Sequence, residues 1–390
     1  MAEHALAEPR SRIAIQPTPA VVCEISRVRY SPNIREAIVF ACVCSVLYVS
    51  AIVALGSYWG TVHGFGDNQP YIQIAHAIQR WDFSQLHAKL FWGLPYFMAA
   101  GSILTRVPLT VSLLLISFLC SIIAVLLICK LWDTWTAIFF VIFSREWLER
   151  SLLGGAEPLF MTFVFGAFLA VRREKWWLAS LLASLATVVR PMGIFVLIAI
   201  GLVLVWRRDY RRLSVASAIG VFVGLMYVLP FTIYFGTPIA NVKGYDHADW
   251  NSGVPLNFPG VAIVQDVIAA HGTKLNLVRT VLWIMFVVGS AASIWFQKSL
   301  RAHLKRYPVE ALFGIFYLGL LFTYNSSWAR AEFPRFSIPI LPFCIAAIQR
   351  WLPKKRTLFW ALGLGAAVLA GASTLGIAES LIAVRHYLLG

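Results

Sequence analysis

Long apolar runs separated by short polar segments dominate the hydrophobic pattern of the chain. Between Ile38 and Ile382, runs of roughly 15 to 28 apolar residues recur, and about 20 such residues cross a hydrocarbon core as a helix. Residues 113–128, LLLISFLCSIIAVLLI, lack the apolar–polar alternation of a membrane barrel strand. Because backbone inside lipid must satisfy its own hydrogen bonds, the pattern predicts an all-α polytopic membrane protein.

Basic clusters between the runs predict how the chain is oriented in the membrane. Four polar segments are rich in arginine and lysine: 172–175, 207–212, 298–306 and 353–356. Three weakly basic segments alternate with them: the surroundings of residue 190, 236–276 and 325–335. Since cytoplasmic loops carry the excess of Lys and Arg, the four basic clusters are predicted to be cytoplasmic. The N-terminal tail, residues 1–36, is predicted to lie on the same side.

This alternation predicts about eleven transmembrane helices, within a range of about 10 to 13. The predicted spans are 38–59, 109–129, 134–153, 156–171, 176–190, 192–206, 213–235, 277–297, 308–324, 336–351 and 357–384. Residues 91–106 are predicted not to cross, because this run is short, contains Gly93 and Pro95, and would break the parity of the two halves.

The predicted spans form one transmembrane domain, residues 37–386. Its external loops are 60–108, 236–276 and 325–335. Within the first of these loops, residues 69–81 place four side chains on one helical stripe: Tyr71, Ile74, Ala75 and Ile78. This stripe predicts a short amphipathic helix lying in the outer membrane interface.

Composition and charge narrow the function classes. Hydrophobic residues make up 59% and charged residues 13% of the 390 positions, which excludes a water-soluble domain. The net charge of +15 follows the topogenic clusters, and base-reading motifs are absent, so nucleic acid is excluded as a partner. The six cysteines form no CxxC pair or Cys/His metal spacing, so no cofactor is predicted. A divalent metal stays open, although no ligand spacing supports it.

Two acidic residues stand at predicted outer ends of spans. Asp67 lies in the glycine-rich segment HGFGDNQPY, residues 63–71, and Glu157 lies between a Gly-Gly pair and Pro158. Asp67 is either a reactive carboxylate or a turn residue that starts a helix. Glu157 is either a second polar group facing Asp67 or a first-turn carboxylate that favours the helix dipole.

Three arginines lie on the same predicted outer face, where the positive-inside trend requires none. Arg190 precedes Pro191 at a helix end, and it either serves the site or extends its side chain to lipid phosphate. Arg330 and Arg335 flank Glu332 in NSSWARAEFPRFSIPILP, and their planar guanidinium groups suit a phosphate unless they pair with Glu332. The loop 241–259 adds aromatic and acidic residues suited to sugars: Tyr245, Asp246, His247, Asp249 and Trp250.

The order of these segments resembles the GT-C membrane glycosyltransferases. A first span is followed by an outer loop with Gly66, Asp67 and Tyr71. Three further segments look similar to that class: GGAEPLF at 154–160, TVVRPMG at 187–193 and FPRFSIPILPF at 333–343. The class includes protein O-mannosyltransferases, aminoarabinose transferases of lipid A and mannosyltransferases of the glycosylphosphatidylinositol anchor pathway.

The resemblance implies transfer of a hexose, mannose-like, from a polyprenyl-phosphate donor to a lipid, glycan or protein acceptor at the outer or lumenal face. It implies Asp67 as general base. The residues implied in substrate or donor binding are Tyr71, Glu157, Arg190, Arg330, Glu332 and Arg335. Many members carry paired acids in this loop, whereas Asp67 is followed by Asn68, which puts metal dependence in doubt.

A transporter or flippase for a lipid-linked or polar solute is the alternative function, with Glu157 and Arg190 lining a pathway. No internal repeat of the kind that favours a secondary transporter is visible in the order of spans. The arginine-rich inner loops favour a bacterial plasma membrane. Membrane lipids are therefore expected partners, while the oligomeric state stays open.

Overall fold

The computed structural model of the protein describes residues 31–83, 90–243, 256–261, 274–324 and 333–375. The helices in these ranges are α1 Ile34–Leu55, α2 Tyr58–Gly64, α3 Asn68–Arg80, α4 Gly93–Thr105, α5 Leu109–Leu131, α6 Thr134–Phe143, α7 Arg145–Leu152, α8 Glu157–Arg172, α9 Trp176–Val189, α10 Ile194–Trp206, α11 Tyr210–Phe235, α12 Ala240–Lys243, α13 Lys274–Phe296, α14 Lys298–Arg306, α15 Pro308–Thr323, α16 Phe333–Phe336, α17 Leu341–Ile348 and α18 Arg356–Thr374. Two 3₁₀ turns, Pro191–Gly193 and Ile338–Ile340, and an isolated bridge between Leu256 and Tyr324 complete the regular structure of this part of the chain. The predicted all-α class is confirmed for these residues.

Several helices are long and apolar enough to cross a membrane, as expected of an integral membrane protein. Four pass by length and composition alone: α1, α5, α11 and α18. Two bent pairs, α7 with α8 and residues 281–294 with α14, raise the number to six if each pair is one span. The remaining apolar helices have between 10 and 17 residues. The count of about eleven spans therefore stays a prediction.

Two predicted spans are interrupted. The predicted span 134–153 consists of α6 and α7, because Ser144 leaves the helical conformation and its hydroxyl caps α7 at the amide of Trp147. Helix α7 then meets α8 at an angle of 107°. The predicted span 336–351 contains the 3₁₀ turn and α17, since prolines 339 and 342 fall where a continuous helix would need their amide hydrogens.

Helix α3 forms where the amphipathic stripe predicts it, but its apolar face is covered by protein. Ile74 and Ala77 pack in one cluster with Trp92 and Phe231, and Ile78 adjoins that cluster. The opposite face carries exposed polar side chains such as Gln73. A position in the membrane interface therefore stays a prediction, and the stripe itself is explained by packing on α4 and in the cluster that contains Phe231 of α11.

Helices α5 and α8 run in the same direction and define two ends of the helical body. The hydroxyl of Ser117, in the first half of α5, donates over 3.3 Å to the carbonyl of Gly155, just before α8 begins. At their last turns, an Arg172 guanidinium nitrogen donates to the carbonyl of Leu131 over 2.7 Å. The end that contains Arg172 is called the basic end below, and the end that contains Gly155 the site end.

Ion pairs at the basic end join segments that are distant in sequence. Arg172 donates to both carboxylate oxygens of Glu310, over 2.6 and 2.8 Å, and Glu310 is 2% exposed. Glu174 lies 3.3 Å from Arg207, and Glu36 lies 2.9 Å from Arg356. These contacts assemble the segments that the charge pattern predicts to be cytoplasmic.

Helix α4 lies within residues 91–106, which are predicted not to cross the membrane. With 13 residues it is about 20 Å long, shorter than a hydrocarbon core of about 30 Å. Its Gly93 lies against the backbone of Val188 and Val189, and its Met98 carbonyl accepts a hydrogen bond from Ser112 in the first turn of α5. Whether residues 91–106 remain on one side of the membrane stays a prediction.

Cysteine labelling tests the predicted orientation. Single cysteines at Gln69 and Arg211, both exposed positions near opposite ends of the helical body, should react with an impermeant maleimide from opposite sides. We expect the cysteine at position 69 to be labelled in intact cells and the cysteine at position 211 only after permeabilisation, because basic loops stay in the cytoplasm. The opposite pattern would contradict the orientation, and parental protein with its native cysteines gives the background.

Candidate active site

Asp67 lies where the chain turns from α2 into α3. Gly66, immediately before it, has a φ of +49°, a conformation that glycine adopts without strain. Asp67 precedes the first residue of α3, and its carbonyl accepts from the amide of Tyr71 over 3.0 Å, but its side chain makes no capping hydrogen bond. The side chain is 40% exposed, and its Oδ2 lies 3.5 Å from a guanidinium nitrogen of Arg335. The carboxylate therefore faces an arginine rather than its own helix.

Arg335 connects this carboxylate to a second one. It lies in the short helix α16, is 8% exposed, and its Nε donates to Oε1 of Glu157. Its backbone segment is held by Tyr317, whose hydroxyl donates to the carbonyl of Phe336 over 2.8 Å, and by Ser337, which bonds to Pro334. One rigid guanidinium thus contacts Asp67 and Glu157 from different parts of the sequence.

Glu157 is the centre of the cluster. It is the first residue of α8 and is 1% exposed. Besides Arg335, its Oε1 lies 3.2 Å from Arg190 and 4.0 Å from Arg150. Burying a carboxylate is costly unless opposite charges and hydrogen bonds compensate, and three guanidinium groups do so here. Glu157 is therefore more than a residue that favours a helix dipole.

Arg190 points into the protein. Its backbone is extended because Pro191 follows, and its side chain is 11% exposed. The guanidinium carbon lies 5.3 Å from the ring centroid of Phe336, within the range of a cation–π contact. Pairing with Glu157 rather than extension to lipid phosphate explains this arginine.

Arg150 belongs to the cluster although the sequence pattern does not predict it. It lies on α7, is 6% exposed, and its guanidinium carbon is 4.4 Å from the ring centroid of Phe65. A signal was available, because α7 has the sequence REWLERSL, with four charged residues in eight positions that a transmembrane span does not tolerate.

Tyr71 adjoins the cluster from α3. It is 7% exposed, and burial, followed by the negative charge of Asp67, raises the pKa of its phenol above the ordinary value. The phenol therefore stays protonated at neutral pH and can act only as a neutral hydroxyl. Arg330 and Glu332, like residues 244–255 of the sugar-suited loop, lie outside the described residues.

The charges of the described cluster leave one net positive charge. Three arginines, Arg150, Arg190 and Arg335, face two carboxylates, Asp67 and Glu157. Buried arginines, each with a planar guanidinium group that donates several hydrogen bonds, are typical of sites that bind phosphate. Among the described residues, no three His, Cys, Asp or Glu side chains gather as metal ligands.

A comparison with protein families identifies the class of the protein. A model of glycosyltransferase family 87 matches residues 91–328, more than half of the chain. The protein is thus a GT-C-like membrane glycosyltransferase. The chain belongs to glycosyltransferase family 87.

The matched segment contains part of the cluster. Arg150, Glu157 and Arg190 lie inside residues 91–328, whereas Asp67 and Arg335 lie outside them. No curated protein and no solved structure matches the chain. The roles of individual residues therefore rest on their chemistry and geometry.

Proposed function

We propose that the protein transfers a hexose, mannose-like, from a polyprenyl-phosphate donor to a hydroxyl of a lipid, glycan or protein acceptor at the outer face of the membrane, with Asp67 as general base. One observation carries the proposal. The exposed carboxylate of Asp67, free of any capping role, lies 3.5 Å from Arg335 in a cluster of buried arginines. The proposed base and the proposed phosphate-binding arginines thus lie side by side in one cluster.

The proposed reaction is a direct displacement at the anomeric carbon. Asp67 takes the proton of the acceptor hydroxyl while the acceptor oxygen forms a bond to the anomeric carbon, and the bond from that carbon to the phosphate oxygen breaks. The electron pair of the broken bond leaves with the lipid phosphate, where arginines stabilise the new charge. The sugar is transferred with inversion, and no oxidant or metal is required for the balance.

The net charge of the cluster supports a lipid monophosphate as leaving group. A sugar phosphodiester carries one negative charge, which matches the single net positive charge of the five charged side chains. After transfer, the protonated base leaves the cluster with two positive charges, while the released phosphate monoester carries about −1.5 to −2. The site and the substrate stay matched before and after the reaction.

A panel of radiolabelled donors tests this proposal. Purified protein with a membrane lipid extract as acceptor should transfer label from a polyprenyl-phosphate hexose and release polyprenyl phosphate. A nucleoside-diphosphate sugar and a polyprenyl-pyrophosphate sugar should give at most about a hundredth of that rate. The extra phosphate changes the charge of the donor and the distance between its sugar and its lipid or nucleoside. Transfer from the nucleotide sugar alone would contradict the lipid donor, and heat-inactivated protein gives the background.

The cellular location is part of the proposal. The inner, cytoplasmic side would be the basic end, and the site would open toward the opposite side, in a bacterial plasma membrane. A donor anchored in the outer leaflet by its lipid would then present its phosphate at the level of the arginine cluster.

A further inference from the structure

The segment that carries Asp67 is fastened to the turn between α7 and α8. The hydroxyl of Tyr58 donates to the carbonyl of Leu152 over 2.5 Å. The side-chain amide of Asn68 donates to the carbonyl of Leu153 over 2.7 Å and to the carbonyl of Val62 over 2.8 Å. Asn68 therefore binds both its own segment and the α7–α8 turn, directly beside Asp67.

Asn68 acts as a donor in both contacts, and only an amide can do so. Its side chain is 1% exposed, and its Nδ2 uses both hydrogens on carbonyl oxygens. A carboxylate of the same shape would place an oxygen where the NH₂ group stands, facing two carbonyl oxygens without a hydrogen between them. A second ionised carboxylate next to Asp67 is therefore incompatible with this contact.

The surroundings leave little freedom on either side of this contact. A Cβ at Gly154, whose φ is +102°, would come within 3.1 Å of Oδ1 of Asn68 and 2.9 Å of Leu113. A Cβ at Gly66 would come within 2.7 Å of the guanidinium of Arg150. Close packing of this kind places Asn68 against Gly154 and Gly66 against Arg150.

We propose that Asn68 is a positioning residue, whose two hydrogen bonds hold the carboxylate of Asp67 beside Arg335. This inference rests on the proposed role of Asp67 as base. An ionised acid at position 68 could not do this. The segment therefore has one carboxylate, that of Asp67, and the neighbouring amide of Asn68 orients it. Asp67 is 40% exposed and Asn68 is buried, so the two side chains point to different surroundings.

Asn68→Ala and Asn68→Asp test the inference. Both should lower kcat about 10- to 100-fold and change the KM for donor by less than about threefold, because the base is misplaced while the arginines remain. Rates are taken per folded molecule, measured by size exclusion and well below the melting temperature. Asn33→Asp is the matched control, since Asn33 only accepts a hydrogen bond, from the amide of Glu36 over 2.8 Å, and Asp accepts equally well.

The pH dependence of activity distinguishes a loss of Asp67 orientation from a general destabilisation of the protein. The carboxyl introduced by Asn68→Asp would be buried among carbonyl oxygens, which raises its pKa. When protonated it regains one donor, so the activity of Asn68→Asp relative to the parent should rise as pH falls from about 8 to about 6. The same ratio for Asn68→Ala should stay flat. Addition of Mg²⁺ or Mn²⁺ should restore neither variant.

The outcomes that overturn the inference differ from those that overturn the function. Parental kcat in folded Asn68→Ala, or metal activation of Asn68→Asp, would overturn the positioning role of Asn68. If Asp67→Asn is inactive in the same experiments, the role of Asp67 as general base still stands. Full activity of Asp67→Asn would overturn the base instead. If neither Asn68 variant folds, Tyr58→Phe is the deciding variant, because it removes one hydrogen bond between the Asp67 segment and the α7–α8 turn. A fall in kcat of about threefold or more supports the inference, and parental kcat refutes it.

Discussion

Asp67→Asn is expected to lower the transfer rate at saturating donor by about 10²- to 10⁴-fold, the usual contribution of a general base. The asparagine side chain keeps the shape of aspartate but cannot take the acceptor's proton. Helix α3 should be unaffected, because Asp67 makes no side-chain capping bond that the substitution could remove. Glu157 continues to pair with Arg335 and Arg190, so donor binding should be retained. Steady-state rates and a donor-binding isotherm measure the two quantities.

Asp209→Asn is the matched control for this variant. Asp209 caps α11 at the basic end by accepting from the amide of Arg212 over 3.1 Å. Asparagine is as good as aspartate at an N-cap, so this variant should keep parental activity. Parental rates in Asp67→Asn would mean that Asp67 is not the base, and loss of activity in both variants would point to a general effect of the substitution.

Arg335→Lys is expected to lower kcat/KM for the donor by about 10²- to 10³-fold, comparable to removal of one group that stabilises transition-state charge. The guanidinium of Arg335 contacts Glu157 through Nε and Asp67 through Nη2 at 3.5 Å, and a single ammonium cannot reach both. Donor KM should rise and kcat should fall together, in contrast to Asp67→Asn, where donor binding is retained.

The exposed pair at the opposite end supplies the control for this substitution. Arg356 lies 2.9 Å from Glu36 with its side chain 63% exposed, and exposed ion pairs contribute about 0.2–1 kcal/mol or less. Arg356→Lys should therefore keep parental kinetics. Unchanged kcat/KM in Arg335→Lys would refute the phosphate-binding role of the cluster.

Much of the site could be predicted because its residues violate a simple rule. Glu157, Arg190 and Arg335 are charged residues at helix ends where topology requires no charge, and Asp67 stands in a glycine-rich turn. Such residues are costly near a membrane unless they pair, which is why they meet in the structure. Their chemical roles stay predictions, because position alone does not distinguish a base from a partner in an ion pair.

The remaining features depend on tertiary contacts that periodicity does not express. Arg150 was hidden in a predicted span, 134–153, since the apolar residues of α6 mask the break at Ser144. The donor role of Asn68 depends on two carbonyl groups, of Val62 and Leu153, whose direction no sequence pattern reveals. The number of spans is equally uncertain from hydropathy, because several apolar helices are shorter than a bilayer.

Helix α8 is anchored at both of its ends by buried ion pairs. Its 16 residues span about 24 Å, with Glu157 bound to Arg335 at one end and Arg172 bound to Glu310 at the other. Sliding or tilting this helix would separate a buried pair, at a cost of about 3–5 kcal/mol for each. A rotation of α8 against α15 and α16, which carry Glu310 and Arg335, would break both pairs. For the proposed lipid-linked donor, we therefore expect diffusion to a stationary site, with α8 held in place during turnover.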